Sequence, residues 1–359
     1  MSSANHPKKN HDDVVIVAAK RTALGAMNGS FSTVAAPNLG AEVVHALIGE
    51  TKIDVSNVQA NMFGCVLPAG LGQAPARQVA LGGGLESSTH STTVNKVCGS
   101  GMQTVVFAYD ALAMGTYDCV IAGGMENMSR APWLMDKPVQ GCRPGHQTLK
   151  DSLFLDGLED AYEKQLMGVY AEDTARHYEF SRQMQDDFAI ESLARAQKAQ
   201  TDGKFESEIV PVEVKSRKET VCVDQDQVPQ QARPDKIPTL RPAFDKKGTV
   251  PAANASSIAD GAAAVMLTTR QKAKDLGLSP LAKVVGHASF SHEPRWFTTA
   301  PVGAISALLN KVGWTADEVD LFEINEAFAV VTMAAIKDLK LDHNKVNIHG
   351  GACALGHPL

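Results

Sequence analysis

Apolar residues are arranged along the chain in two alternating patterns. Residues 14–19 form an unbroken apolar run, which is typical of a strand buried on both faces. Residues 39–48 carry apolar side chains at 39, 43, 44, 47 and 48, which is the spacing of an amphipathic helix. Strand-like and helix-like segments alternate in this way up to about residue 124 and again from about residue 249. The alternation predicts an α/β fold with a mostly parallel sheet and helices on both faces.

The two patterns also predict where the individual elements lie. In the N-terminal part they predict strands over 14–19, 62–67, 91–94 and 118–122 and helices over 39–48, 76–81 and 102–114. In the C-terminal part they predict strands over 261–267, 281–287 and 319–324 and helices over 270–276, 304–312 and 326–339. The two parts share this pattern without a convincing residue-level repeat.

The segment between the two parts has a different composition. Residues 125–248 are more charged, contain many prolines and glycines, and have one clear predicted helix at about 182–200. A segment of this length is too long for an inert loop, so we expect a loop or lid domain. The predicted organisation is a disordered tail at 1–13, an N-terminal half at 14–124, the loop domain at 125–248 and a C-terminal half at 249–359.

Composition argues against several classes of function. The 359 residues carry a net charge of −6 and no basic patch, so a nucleic-acid partner is not expected. No apolar run reaches the length of a membrane span, so no membrane association is expected. Six scattered cysteines form neither a Cys-x-x-Cys pair nor a cluster with histidine, so we expect no metal site. The unpaired cysteines, together with a polar N-terminus that lacks a signal-peptide pattern, favour the cytoplasm.

Cys98 lies at the predicted junction between the strand at 91–94 and the helix at 102–114. The N-terminus of a helix presents unpaired N–H groups and a partial positive charge, and both stabilise a thiolate. The small residues around Cys98 let a substrate approach the sulfur closely. These features favour a nucleophile, and a buried, unreactive cysteine is the alternative interpretation.

Two polar residues of the C-terminal part are further candidates. Asn325 lies between the predicted strand at 319–324 and the predicted helix at 326–339, where an N-cap is the simplest interpretation. His357 lies in a glycine-rich loop between Gly356 and Pro358, where a structural or solvated histidine is the more common case. Neither residue indicates a function by itself.

Taken together, these residues and several further short motifs resemble the thiolase family, and the resemblance covers nearly the whole chain. It is nearest to acetyl-CoA acetyltransferases and related 3-ketoacyl-CoA thiolases. The motifs that carry it, in chain order, lie at 14–25, 95–101, 123–129, 241–244, 254–256, 260–262, 325–329 and 350–358.

The resemblance implies the thiolase fold, which has two similar α/β halves with mostly parallel mixed sheets in an αβαβα layering and a large inserted loop domain. It implies an acyltransferase that condenses two acetyl-CoA to acetoacetyl-CoA and CoA, or thiolyses a 3-ketoacyl-CoA in reverse, through an S-acetyl-cysteine. In this scheme Cys98 carries the acyl group and His357 is its base. Asn325 holds a water that, with His357, stabilises the thioester oxyanion.

The resemblance also implies which residues contact coenzyme A. Met167, Phe244, Ser256, Ala327 and Phe328 match positions that line the pantetheine and nucleotide pocket, although Met167, Ala327 and Phe328 could equally be core residues. No cofactor is implied beyond the coenzyme A thioesters that act as substrates. The resemblance further implies a role in lipid and fatty acid metabolism and assembly as a homodimer or homotetramer.

The chain departs from the family pattern at several points. Thiolases carry a second reactive cysteine in a Cys-x-Gly-Gly-Gly segment beyond the Gly-His-Pro motif, and the given sequence ends at Leu359, one residue after that motif. Within the family that cysteine moves the proton of the acetyl group during condensation, so we expect poor acylation and hardly any condensation from these 359 residues. Leu166 and Tyr170 stand where the family has histidine and threonine, and 297–301 replaces a more glycine-rich segment.

Two other interpretations remain open from the sequence. The Cys–His–Asn set also fits a thiol hydrolase, although the residues around Cys98 lack the local signature of that class. Because the second cysteine is absent, the chain could instead be an inactive thiolase-like fragment or a coenzyme A-binding protein. Acyl transfer to Cys98, peptide hydrolysis, or binding without acylation would distinguish the three.

Overall fold

A computed structural model describes residues 12–136, 146–215 and 219–359 of the chain. The α-helices in these ranges are α1 (Ala36–Thr51), α2 (Pro75–Gly82), α3 (Ser100–Ala113), α4 (Met167–Tyr178), α5 (Arg182–Thr201), α6 (Gln227–Gln231), α7 (Arg270–Asp275), α8 (Ala300–Val312), α9 (Ala329–Leu339) and α10 (Ala352–Leu355). The strands are β1 (Val14–Thr22), β2 (Gly25–Ala26), β3 (Ala60–Gly64), β4 (His90–Val94), β5 (Cys119–Asn127), β6 (Trp133–Leu134), β7 (Lys150–Asp151), β8 (Ile209–Val210), β9 (Val212–Lys215), β10 (Thr220–Val223), β11 (Ala259–Thr269) and β12 (Ala282–Lys283).

The main sheet has the strand order β12–β1–β11–β5–β3–β4. Strands β3, β4 and β5 run parallel, whereas β11 is antiparallel to both of its neighbours, β1 and β5. Gly123 of β5 makes this pairing possible, because a Cβ atom there would collide with the carbonyl oxygen of Ala263 in β11. The predicted α/β fold is confirmed, with a mixed sheet.

Helices cover both faces of this sheet, as the alternating pattern predicts. Successive residues of β5 point to opposite faces, so Ile121 packs with α1 and α2 while Val120 packs with α3. Met266 and Leu267 of β11 divide between the same two clusters. The central strands are therefore buried on both sides, which explains why the first residues of β1 and β5 read as unbroken apolar runs.

The segment between the two α/β parts contains α4, α5 and a hairpin of β9 and β10. The predicted helix at 182–200 is confirmed as Arg182–Thr201, which begins at an N-cap where the Ser181 hydroxyl accepts the N–H of Met184. The domain division stays a prediction. Strand β11, which lies beyond the predicted boundary at 248, pairs with β1 and β5 of the N-terminal half. The predicted tail at 1–13 lies mostly outside the described residues.

Two predicted strands of the C-terminal part are shorter than expected. The run at 281–287 pairs with β1 only at Ala282–Lys283. The run at 319–324 forms a single bridge, between Phe322 and Val346. Beyond that bridge the Asn347 side chain replaces a strand partner, since its amide group bonds both the N–H and the carbonyl of Ile324 at 2.8 Å. In the described part of the chain no helix is long and apolar enough to span a membrane.

Candidate active site

Cys98 lies in a tight loop that joins β4 to α3. The loop passes through Val97, whose φ of +49° is in the left-handed region that β-branched residues rarely adopt. The Val97 N–H donates to Asn95 Oδ1 at 3.0 Å, and the Ser100 hydroxyl accepts the Lys96 N–H at 2.8 Å while donating to the Val97 carbonyl at 2.6 Å. The loop is thus held by its own side chains, and it presents Cys98 to solvent two residues before α3 begins.

The start of α3 also lies unusually close to the end of β3. A Cβ atom at Gly64 would lie 2.7 Å from the backbone nitrogen of Gly101, so only glycine allows this approach. The predicted strand-to-helix position of Cys98 is confirmed, and this packing fixes it at the carboxyl end of β3.

The electrostatics of Cys98 differ from the sequence expectation. Although the residue is solvent-accessible, the protein atoms crowded around its thiol desolvate the charged form and raise its pKa to about 11. Burial therefore acts against the thiolate that the helix start was expected to stabilise, and the helix effect itself stays a prediction. At neutral pH the sulfur holds its proton, and attack requires a base.

His357 is placed by the loop that precedes it. The backbone N–H of His357 donates to the Ser257 carbonyl at 2.8 Å. The residue also forms a β-bridge with Ile258, just before β11 begins. Gly356 has a φ of +101°, which turns the chain into this position. Burial lowers the pKa of His357 to about 4, so the ring is neutral at pH 7 and able to accept a proton.

Asn325 contacts this ring directly. Its Nδ2 atom lies 3.3 Å from Nε2 of His357. The N-cap interpretation of Asn325 is wrong, because α9 begins at Ala329 and its cap position is Phe328. The structure therefore brings two of the three predicted catalytic residues into contact.

Topology places Cys98 at the same edge of the sheet as this pair. The carboxyl ends of β3, β4 and β5 meet there, together with the amino end of the antiparallel β11. Cys98 follows β4, and His357 pairs with the residue before β11. The two loops also share a neighbour, since Asn95 Nδ2 lies 3.4 Å from the Val66 carbonyl and Val66 belongs to an apolar cluster with Ile258 and Leu359. Among the hydrogen bonds of the described residues, none joins the Cys98 sulfur to His357, and catalytic contacts often tighten only when substrate binds.

The five predicted coenzyme A contacts also lie together. Met167, Phe244 and Ala327 are partly buried against the cluster that contains the buried Phe328. The rings of Phe244 and Phe328 meet edge to face with centroids 5.9 Å apart. The Ser256 N–H donates to the Ala327 carbonyl at 3.0 Å, which attaches it to the same cluster. These contacts make the group continuous with the loop that carries Asn325, and a ligand role for each residue stays a prediction.

Two buried carboxylates near these loops were not among the candidates from sequence. Glu126 of β5 accepts the Val66 N–H at 2.7 Å, and burial raises its pKa to about 7. Glu326, next to Asn325, is fully buried. A charged residue in an otherwise apolar segment was the available signal for both. In the described ranges no group of three or more His, Cys, Asp or Glu residues could hold a metal ion.

Comparison with known proteins agrees with this geometry. The family model described as thiolase, N-terminal domain, matches residues 14–271, and that described as thiolase, C-terminal domain, matches residues 278–359. A probable acetyl-CoA acetyltransferase of Dictyostelium discoideum is 47% identical over 98% of this chain and 85% of its own length. An acetyl-CoA acetyltransferase of Yarrowia lipolytica is 45% identical over 96% of this chain and 86% of its own.

Similarity extends to solved structures. The crystal structure of Acat5 thiolase from Ascaris suum in complex with coenzyme A superimposes with a TM-score of 0.92 at 40% sequence identity. The match covers 97% of this chain and 89% of the Ascaris chain.

Proposed function

The chain belongs to the thiolase family of acyltransferases, and we propose that it transfers acetyl groups between coenzyme A thioesters through an S-acetyl intermediate on Cys98. The observation that carries this proposal is the Asn325–His357 contact at the sheet edge where the Cys98 loop also lies. At this edge a neutral base contacts a polar group, and the loop that carries the nucleophile ends at the same edge.

The first half-reaction follows from the proton positions. Cys98 attacks the thioester carbonyl of acetyl-CoA as its proton passes to His357, because the thiol, with a pKa of about 11, does not ionise unaided at neutral pH. A bond forms between Cys98 sulfur and the acetyl carbon, and the negative charge develops on the carbonyl oxygen. The imidazolium N–H and a water held by Asn325 stabilise that oxyanion. The bond to the coenzyme A sulfur then breaks, and His357 returns the proton to the departing thiolate.

The second half-reaction determines the net reaction. Condensation of the acetyl-enzyme with a second acetyl-CoA yields acetoacetyl-CoA, and its reverse is thiolysis of a 3-ketoacyl-CoA. Either direction requires a base at the acetyl methyl group. In the family a second cysteine is this base.

Coenzyme A is proposed to bind beside the cluster of Met167, Phe244, Ser256, Ala327 and Phe328. Partial exposure of several of these side chains supports the role, because a fully buried core would leave no surface for the pantetheine arm. The proposal needs no cofactor other than the thioester substrates.

We also propose a homodimer or homotetramer. Two features of the N-terminal half support assembly. β4 is an edge strand of the sheet, and α3 with its C-cap exposes the apolar side chains of Met102, Phe107 and Met114. Unpaired cysteines in the described residues agree with a reducing compartment such as the cytoplasm, where such an enzyme would serve lipid and fatty acid metabolism.

Isotope exchange tests the proposed function without requiring the second base. Purified protein is mixed with acetyl-CoA and labelled free coenzyme A, and the label entering acetyl-CoA is measured. A covalent acetyl-enzyme predicts exchange without any second acyl acceptor, and Cys98→Ser should abolish it. Release of free acetate without exchange would indicate a hydrolase, and binding of coenzyme A without exchange would indicate a non-catalytic protein.

A further inference from the structure

Glu326 is a fully buried carboxylate whose oxygens are both occupied by donors. Its Oε1 atom accepts the side-chain amide of Asn347 at 2.8 Å. Its Oε2 atom accepts the Ser192 hydroxyl at 2.8 Å and the Cys353 N–H at 3.1 Å. An unpaired buried charge is costly, so these three donors define the position of the carboxylate closely.

The donors connect the two segments that carry Asn325 and His357. Glu326 directly follows Asn325, whereas Asn347 and Cys353 belong to the segment that leads to His357. The approach between the segments is close, because a Cβ atom at Gly351 would collide with the Glu326 carboxyl group. The Asn325–His357 distance of 3.3 Å therefore depends on the buried Glu326 carboxylate, which is bonded to both segments, and not on the two side chains alone.

Ser192 connects α5, in the predicted loop domain, to the Glu326 carboxylate. It lies on α5 and is 4% exposed, and its hydroxyl donates to Glu326 while accepting the Gly351 N–H at 2.9 Å. One hydroxyl thus bonds both segments at once. Because the Gly351 N–H is an obligate donor, the hydroxyl proton is directed to Glu326.

We propose that Glu326 is a positioning residue for acyl transfer, and that Ser192 of α5 links it to the loop domain so that Asn325 and His357 are held at reacting distance. The inference rests on the proposed function, since positioning has meaning only if Cys98 is acylated. Neither Glu326 nor Ser192 contacts the reacting atoms. Both act on the rate of acylation more than on the binding of coenzyme A, because their side chains bond the segments of Asn325 and His357 and not the rings of Phe244 and Phe328.

The test compares Ser192→Ala with Ser181→Ala, which removes a hydroxyl from the N-cap of the same helix. The rate of acetyl-CoA exchange and the dissociation constant of coenzyme A are measured for each variant and for wild-type protein. Ser192→Ala should slow exchange about tenfold and leave the dissociation constant within about twofold, because small misplacements of catalytic groups cost rate and not ground-state binding. Ser181→Ala should lower the thermal midpoint but change neither quantity.

Glu326→Gln is the stronger perturbation. It replaces one acceptor oxygen by an NH₂ group, which then faces at least one of the donors from Asn347, Ser192 and Cys353. It should slow exchange about a hundredfold. If this variant fails to fold, the comparison of Ser192→Ala with Ser181→Ala tests the positioning role by itself. Equal exchange rates in Ser192→Ala and Ser181→Ala, or a parallel loss of coenzyme A affinity in Ser192→Ala, would overturn the positioning role alone. Absence of exchange in wild-type protein would overturn the proposed function, and the positioning role with it.

Discussion

The side-chain amide of Asn325 faces the Nε2 atom of His357 at 3.3 Å, although the two residues are 32 positions apart in sequence. An amide nitrogen only donates, so in this arrangement the imidazole nitrogen accepts, which requires the neutral ring. The lowered pKa of His357, about 4, agrees with that state. The ring is therefore neutral at rest, which is the state that a base requires, and the first two predictions below follow from it.

Alkylation of Cys98 by iodoacetamide should be slow at pH 7 and should rise about tenfold for each pH unit up to about pH 11, because the thiolate is the nucleophile and burial raises the thiol pKa to about 11. The rate is measured in a Cys222→Ser background, which removes another exposed cysteine. His357→Asn should slow the reaction near neutral pH by removing the base. A rate that reaches a plateau below pH 8 would show a thiolate already formed at rest.

His357 should make the folded protein sensitive to acid. Its pKa falls from an ordinary 6.5 to about 4 on folding, so the unfolded chain binds the proton more tightly. Stability is therefore lost as the pH falls from 6.5 towards 4, by up to about 3 kcal/mol for this group. His357→Asn should lose less free energy of unfolding than wild-type protein over that interval in urea titrations. Identical losses would mean that the ring is not buried as described.

Glu126 should make the folded protein sensitive to rising pH, whereas His357 makes it sensitive to falling pH. Burial raises its pKa from 4.5 to about 7, so the folded protein binds the proton more tightly and stability is lost as the pH rises from 4.5 through 7. Glu126→Gln cannot ionise, and its carbonyl can still accept the Val66 N–H. The stability of this variant relative to wild-type protein should therefore rise by up to about 3 kcal/mol across the interval. A relative stability that is flat with pH would argue against a titrating carboxyl group here.

Val97 should store backbone strain in the nucleophile loop. Its left-handed φ costs a non-glycine residue about 1–2 kcal/mol. Val97→Gly relieves that cost but adds freedom to the unfolded chain, so stability should stay the same or rise by up to about 1 kcal/mol. The matched control is Val221→Gly, an equally exposed valine in β10, which should lose about 1 kcal/mol. Chemical denaturation of both variants provides the comparison, and a comparable loss in the two would show that Val97 is unstrained.

Local pattern was sufficient for much of the fold. The apolar spacing of α3 and α5 and the apolar run of β5 predicted elements that the structure confirms, since burial of a face imposes a period on the sequence. Strand direction was not predictable in this way. An apolar run does not reveal that β11 pairs antiparallel between β1 and β5, because buried strands of either direction look alike.

In the candidate site, too, features formed by neighbouring residues were predictable from the sequence, and contacts between distant segments were not. The Cys98 loop before α3 is a local feature and was identifiable from the sequence. The contact of Asn325 with His357 was not, because it depends on Glu326 and Asn347 joining two distant segments. The burial of the Cys98 thiol could not be read from the sequence for a related reason. The helix start is visible in the sequence, but the burial that raises the pKa of the thiol depends on how the loop packs in the fold.

Localising the acetyl group tests most directly whether Cys98 is the acyl carrier. The protein is mixed with labelled acetyl-CoA, quenched in acid within the first turnover, digested, and analysed by mass spectrometry. The label should be found on the peptide that contains Cys98, should be absent in Cys98→Ser, and should be retained in Cys222→Ser. Label on any other residue, or undiminished label in Cys98→Ser, would contradict the assignment of Cys98 as the nucleophile.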